Sequence, residues 1–181
     1  MIYLIRHGQT DWNTCKRIQG QLNIPLNENG KQEALICTKE LSSYPIKQII
    51  SSDLSRAKET AEIINNFLNI PISFDTRLRE INYGYLQGML FKDISSEMWH
   101  IFNNTPQKLK AETMTDLYNR VKSILSEVST KKNILFVTHG GFIRMALYIS
   151  ENKTRFIPEK YEESYKFLKI KNTAIYKLNN S

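Results

Sequence analysis

The chain has 181 residues, 41% of them hydrophobic, with no Pro-rich or Ser/Gly-rich run to mark a linker, so it fits one domain with a sizeable core and leaves no room for a second. A formal net charge of +7 and a pI near 9.3 favour anionic partners. The basic residues are spread along the chain without a nucleic-acid motif or a spanning segment, however, which reads as a lysine-rich solvated surface and excludes nucleic acid and membrane as partners.

Met1 to Ile5 is apolar and β-branched, a short buried strand, and Arg6-His7-Gly8 follows at once, delivering polar residues to the rim of a sheet. Asp11 to Asn23 is polar and irregular, anchored by Trp12 and Ile18. Cys15, within it, and Cys37 lack metal-ligand spacing and read as structural thiols. Two unpaired thiols, in a chain that opens on a strand with no signal peptide, point to a reducing cytoplasm.

From Glu28, apolar Ala34, Cys37 and Leu41 recur at helical spacing as far as Tyr44-Pro45. A second strand, 46 to 52, ends at Ser51-Ser-Asp-Leu-Ser-Arg56, and Leu54, Ala57, Ala61, Ile64 and Leu68 then form a helix capped by Asp53 or a nearby serine. Arg56 falls in that helix's first turn, where free N–H groups favour an anion. Ile70 to Phe74 is a short strand. Asp75 to Gly88 is a charged, aromatic loop of the kind that carries function.

Residues 90 to 103 look weakly helical, with His100 assigned to packing among Met98, Trp99, Ile101 and Phe102. Pro106 to Lys110 is a connection, and 113 to 130 is an amphipathic helix. Asn133 to Gly141 repeats the opening device, apolar strand then Thr138-His139-Gly140, and is followed by a helix from about Phe142 to Ser150. Glu151 to Glu163 carries no assignment, and Thr173 to Leu178 closes the sheet at one edge. This order predicts an α/β fold, a three-layer α/β/α sandwich with a mostly parallel central sheet.

Two strands that each end in His-Gly would set His7 and His139 side by side at the sheet's carboxyl edge. With Arg6 and Arg56 nearby a cation is disfavoured, so no metal and no cofactor is expected there. The guanidinium groups suit a phosphoryl group instead. A neutral His7, kept so by the arginines, could attack phosphorus and form phosphohistidine; His139, protonated against the phosphate, would stabilise equatorial charge. Glu80, in a loop with Leu78, Ile81, Tyr83 and Tyr85, is the candidate proton donor, on the expectation that apolar and aromatic neighbours favour a carboxyl's protonated form. Singly, each residue has an ordinary structural explanation: a satisfied sheet-edge histidine, a surface arginine, a solvated carboxylate. Their joint fit to one mechanism outweighs these.

Arg6-His7-Gly8-Gln9-Thr10 with Asn13, the Ser-Asp-Leu-Ser-Arg56-Ala run, Leu-Arg-Glu80 followed by Gly84 and Gln87-Gly88, and Thr138-His139-Gly140-Gly141 together resemble the histidine phosphatase superfamily, in its phosphoglycerate mutase-like branch. The resemblance implies a phosphoglycerate mutase-like fold over residues 1–181, with His7 as phosphorylated nucleophile and Arg6, Arg56 and His139 as the phosphate pocket. It further implies a phosphate contact from Asn13 and proton donation from Glu80. Gln19, Gly20, Tyr83 and Gly140 would line the substrate site. The expected activity is metal-independent hydrolysis of a phosphorylated small molecule. The alternatives are a cofactor-dependent phosphoglycerate mutase and a non-catalytic phospho-ligand binding protein. The short interval between Glu80 and His139 leaves little chain for a mutase lid and favours the phosphatase. Asn23, Asn27, Ala111-Glu112-Thr113 and Leu86-Gln87-Gly88 depart from the small phosphatases' pattern, so substrate specificity is expected to lie in 85 to 115 and 151 to 163. Nothing in the sequence specifies an oligomeric state.

Overall fold

A computed structural model describes residues 1–152 and 156–178. Five strands, β1 (Ile2–Arg6), β2 (Gln48–Ser51), β3 (Ile72–Phe74), β4 (Ile134–Thr138) and β5 (Ile175–Leu178), form one sheet in the order β3-β2-β4-β1-β5. All neighbours are parallel except the edge pair β1 and β5, which is antiparallel. The helices are α1 (Asp11–Thr14), α2 (Glu28–Leu41), α3 (Ser55–Leu68), α4 (Ser96–Asn104), α5 (Met114–Glu127), α6 (Gly140–Glu151) and α7 (Pro158–Ser164).

The strands' period of two sorts their side chains between two cores. Ile2, Leu4, Ile134 and Phe136 pack with Leu117, Val121 and Ile124 of α5 and with Phe142, Met145 and Ala146 of α6. Tyr3, Ile5, Leu135 and Val137 face the other way, onto Cys37 and Leu41 of α2 and Ala57, Ala61 and Ile64 of α3. The crossovers through α2 and α3 run one way along the sheet and the chain returns to β4 after α5. Right-handed connections therefore put these helices on opposite faces. The result is the expected three-layer sandwich.

Register places the functional ends together. Arg6 pairs with Thr138 and Ser51 with Val137. Beyond those pairs the His7 N–H donates to the Thr138 carbonyl and the Ser52 N–H to the Val137 carbonyl, both at 2.9 Å. Three adjacent strands thus deliver Ser52, His139 and His7 to one rim.

Several expectations shift. The helix after β4 starts at Gly140 rather than Phe142, because His139 itself occupies the N-cap position. Neither Asp53 nor a serine caps α3. Its N-cap is Leu54, without a side-chain cap bond, and the Ser55 N–H donates to Asn23 Oδ1 at 3.1 Å from another loop. Asp53 is taken instead by Arg79, whose Nε lies 2.7 Å from Oδ1. The span 151 to 163, unassigned from sequence, includes most of α7, with proline in its first turn; residues 153–155 lie outside the described residues. His100 is exposed on α4 rather than packed, with Asn104 Nδ2 3.3 Å from its Nδ1. Cys15 is exposed and Cys37 buried.

Candidate active site

The site starts from two imidazoles at the ends of parallel neighbours β1 and β4. Their ring centroids lie 5.1 Å apart, and both are nearly or fully buried, His7 at 2% exposure and His139 at 0%. His7 Nδ1 is 2.7 Å from the carbonyl of Gly8. A carbonyl can only accept, so Nδ1 carries the proton and Nε2 presents its lone pair. The Nε–H of Arg56 donates to that Nε2 at 3.2 Å. Burial, then Arg56, then Arg6 hold the His7 pKa well below the usual imidazole value, which keeps the ring neutral and nucleophilic.

His139 approaches Ser52 Oγ through Nε2 at 2.9 Å, while its Nδ1 is buried without a partner among the described residues. Burial first, then Arg56, His7 and Arg6, hold it neutral as well. The protonated form expected against a phosphoryl group therefore has to be drawn out by that anion's own charge. The α6 N-terminus begins at this residue, adding the positive end of a helix.

Arg56 is fixed on three sides. Besides His7, it donates to the carbonyls of Leu22 at 2.8 Å and Gly20 at 2.7 Å and is 1% exposed. Burial pushes its pKa down to about 10, opposed by Glu80, so it remains a cation at neutral pH. Arg6 donates through one terminal nitrogen to the Ile170 carbonyl at 2.9 Å, and its Nε is buried without a partner among the described residues. A buried cationic donor left unpaired among the described residues suits an incoming anion, since native folds pair most of their buried polar groups.

Glu80 lies within electrostatic reach of Arg6 and Arg56. Its Oε1 accepts from the backbone N–H groups of Ile81 and Gly141, each at 2.9 Å, and Oε2 has no partner among the described residues. A Cβ on Gly141 would lie 2.3 Å from Oε1, so the closeness of α6 to the carboxylate depends on glycine. The backbone beneath is held from elsewhere: Gln21 Nε2 and an Arg120 terminal nitrogen donate to the Glu80 carbonyl at 3.0 and 3.1 Å. Arg120 also donates to the carbonyls of Arg77 and Arg79 and pairs with Glu112.

The structure brings His7, Arg6, Arg56, Glu80 and His139 together. Asn13 forms a capping box with Thr10, its Oδ1 accepting from the Thr10 N–H at 3.0 Å, which leaves Nδ2 as the donor end. Gly20 adopts a φ of +53°, and a Cβ there would lie 2.1 Å from Gln87 Oε1; this conformation aims its carbonyl at Arg56. Gln19 is buried, and its Oε1 has no partner among the described residues. Gly140 opens α6 beside Glu80, and Tyr83 stacks on Phe102 at 5.1 Å between centroids.

Tyr83 also lines a cavity of about 790 Å³ that opens beside Ile81, next to Glu80. Phe91, Trp99, Phe102 and Arg144 are among its other walls. Sequence reasoning missed Ser52, Gln21, Arg120 and Arg144. Ser52 lies inside the Ser-Asp-Leu-Ser-Arg run, which was the available signal. Gln21 and Arg120 act on backbone carbonyls, which no side-chain pattern reveals.

The model of the histidine phosphatase superfamily (branch 1) matches residues 2–178. A probable phosphoglycerate mutase, GpmB of Salmonella paratyphi A, is 39% identical over 148 residues, covering 77% of this chain and 69% of the relative. Among solved structures, Bacillus stearothermophilus YhfR superposes with a TM-score of 0.72 at 32% identity, covering 83% of this chain and 79% of that one. A mycobacterial glucosyl-3-phosphoglycerate phosphatase gives 0.70 at 28% identity, covering 82% and 80%. Thermus thermophilus phosphoglycerate mutase gives 0.67 at 28%, covering 81% and 82%.

Proposed function

We propose that this chain, which belongs to branch 1 of the histidine phosphatase superfamily and so acts on phosphate esters, is a phosphomonoesterase working through phosphohistidine on His7. The observation that carries the reading is the state of that ring: Nδ1 is committed to Gly8, and Nε2 is held as a lone pair against Arg56. An imidazole so fixed is prepared to attack an electrophile that the neighbouring cations have gathered.

In the first step the Nε2–P bond forms as the P–O bond to the alcohol breaks, and the proton of Glu80 goes to the departing oxygen. Arg6, Arg56 and His139 hold the equatorial oxygens, with Asn13 Nδ2 as a further donor. In the second step water attacks phosphorus, its proton goes to Glu80, and the P–N bond breaks, releasing phosphate. The chemistry uses the chain's own residues, and Gln19, Gly20, Tyr83 and Gly140 shape the space around the ester.

A phosphoglycerate mutase is the second reading, favoured by the name of the GpmB relative. Against it, the chain between Glu80 and His139 is used up by short 3-10 turns, α4, α5 and β4, which leaves no long segment to close over the pocket and keep water out. The glucosyl-3-phosphoglycerate phosphatase among the structural neighbours supports hydrolysis.

The test is hydrolysis of an aryl phosphate in the presence of a chelator, with acid quenching to trap phosphoenzyme. Turnover and acid-labile phosphate are expected in the native chain, and both are expected to vanish in His7→Ala. Retained activity in that variant would remove His7 as nucleophile. Conversion of 3-phosphoglycerate with its bisphosphate, faster than any ester hydrolysis, would select the mutase.

A further inference from the structure

The cavity beside Glu80 has dimensions and walls that neither a phosphate nor the catalytic residues use. At about 790 Å³ it is the size of pockets that enclose a whole organic ligand. It starts at the reacting end: Ile81 lines it directly after Glu80. A point 3.8 Å from Glu80 Oε2, where a Cβ on Gly140 would sit, is also 3.8 Å from a terminal nitrogen of Arg144, another lining residue. Arg144 therefore borders both the free oxygen of Glu80 and the cavity.

The inner walls are aromatic. Tyr83 stacks on Phe102 with planes 20° apart, Trp99 meets Phe102 edge-on at 5.8 Å, and Phe91 packs against Trp99 at 5.2 Å. Together they present a continuous π surface from the site outward, the kind of wall on which a planar ring stacks. Lys166, past α7, reaches Asn103 Oδ1 on α4 at 3.3 Å and Glu162 at 3.1 Å, so its charge at the rim is already engaged. Arg144 is tied through Nε to the Leu168 carbonyl at 2.9 Å, and its terminal nitrogens have no partner among the described residues. Arg144 beside Glu80 and aromatic rings along the wall suit an oxygen-bearing link followed by a flat apolar body, with Lys169 as a further cation of the lining. A short glycerate carrying a second anion would answer Arg144 and leave the rings uncovered.

We propose that this cavity is the leaving-group subsite and that the substrates are phosphomonoesters of alcohols bearing a flat aromatic group, a reading that rests on the phosphomonoesterase function above. Arg144 holds the polar link, and Tyr83, Phe91, Trp99 and Phe102 cover the ring.

The test compares 2-(2-naphthyl)ethyl phosphate with propyl phosphate and 3-phosphoglycerate. The naphthyl and propyl esters both release simple primary alcohols, so a difference between them reports the remote group rather than the leaving group's need for a proton. The naphthyl ester is expected to show a kcat/KM at least about tenfold above the propyl ester. Phe91→Ala and Trp99→Ala should each reduce that ratio by about threefold or more. Phe91 is 57% exposed, so its truncation does not endanger folding. A ratio near one, or 3-phosphoglycerate as the best substrate, overturns the assignment. Should no ester be hydrolysed and no phosphoenzyme form, the hydrolase reading fails separately. Calorimetric binding of the naphthyl and propyl phosphates then decides the subsite: tighter binding of the naphthyl compound upholds it, and equal binding removes it.

Discussion

Glu80 is aimed by an absence of atoms. Its Oε1 is held by the N–H of Gly141 at 2.9 Å, and a Cβ on that glycine would come within 2.3 Å of the same oxygen and 2.7 Å of the Ile81 side chain. Gly141→Ala must therefore push the carboxylate off its bond. Because the obstructions are two side chains rather than backbone, the fold should survive at some cost in stability from the buried Ile81, while the proposed proton donor moves. We expect kcat to fall by about 10- to 100-fold, the scale associated with a misplaced general acid. The loss should be larger for alkyl than for aryl phosphates, whose leaving groups need less protonation. Equal losses for both would show that Gly141 does not position the acid. At this scale the sequence was most legible where chemistry sits directly after a strand, as His7 and His139 do. It was least legible where a residue works through another's backbone. Arg120 looks like one arginine on a helix, and only the fold shows its guanidinium spanning the carbonyls of Arg77, Arg79 and Glu80.

That guanidinium is also where two elements meet. The turn carrying Glu80 has no ladder of its own, and α5 holds its backbone through Arg120, while Ser123 and Glu127 of the same helix take the Arg77 side chain. Arg120 donates at 2.8 Å to Arg77, 2.7 Å to Arg79 and 3.1 Å to Glu80, and pairs with a half-buried Glu112 at 2.9 Å. Arg120→Ala leaves three carbonyls and a carboxylate short of donors. The expected destabilisation is about 2–4 kcal/mol in urea unfolding, because unmet buried acceptors cost more than the bonds contribute. Arg120→Lys should recover only part of it, since an ammonium cannot span carbonyls placed for a planar fork. A loss under about 0.5 kcal/mol for the alanine variant would mean that the turn is held by its neighbours instead. Element positions were readable where periodicity is strong, as in α2, α3 and α5. The start of α3 was not, because its first free N–H is met by Asn23 from a distant loop rather than by Asp53 alongside. Capping rules describe local partners, and this partner is tertiary.

For the molecule as a whole, the same burial that keeps the imidazoles neutral couples the site to stability. The alternation of apolar residues in β1 and β4 specifies two core faces, which is why the sandwich is legible in the amino-acid pattern. Burial depth at the strand ends is set by packing that no pattern displays. Packing leaves His7 and His139 with pKa values well below the usual imidazole value, from burial first and the arginines second. When the chain unfolds, both return toward about 6.5. Between that value and their depressed folded values the unfolded chain binds protons that the folded chain refuses. Stability is therefore full above about pH 6.5 and is lost as pH falls through this window. Asp53 and Asp75, lowered mainly by hydrogen bonds from Arg79 and Arg77, act in the same direction but only below the ordinary carboxylate value near 4. The histidine contribution therefore sets in first as pH falls. Urea unfolding at pH 7.5, 6.5 and 5.5 should show a decline that approaches two protons per molecule, about 2.7 kcal/mol per pH unit at its steepest. His139→Gln should bring the slope close to one proton. A native chain whose stability is level from pH 7.5 to 5.5 would mean that the folded rings take up protons as readily as the unfolded chain does, so that burial and the arginines do not hold them neutral. In that case the site would hold His7 neutral only above about pH 6.5, and the nucleophile facing Arg56 would be lost to protonation in mild acid.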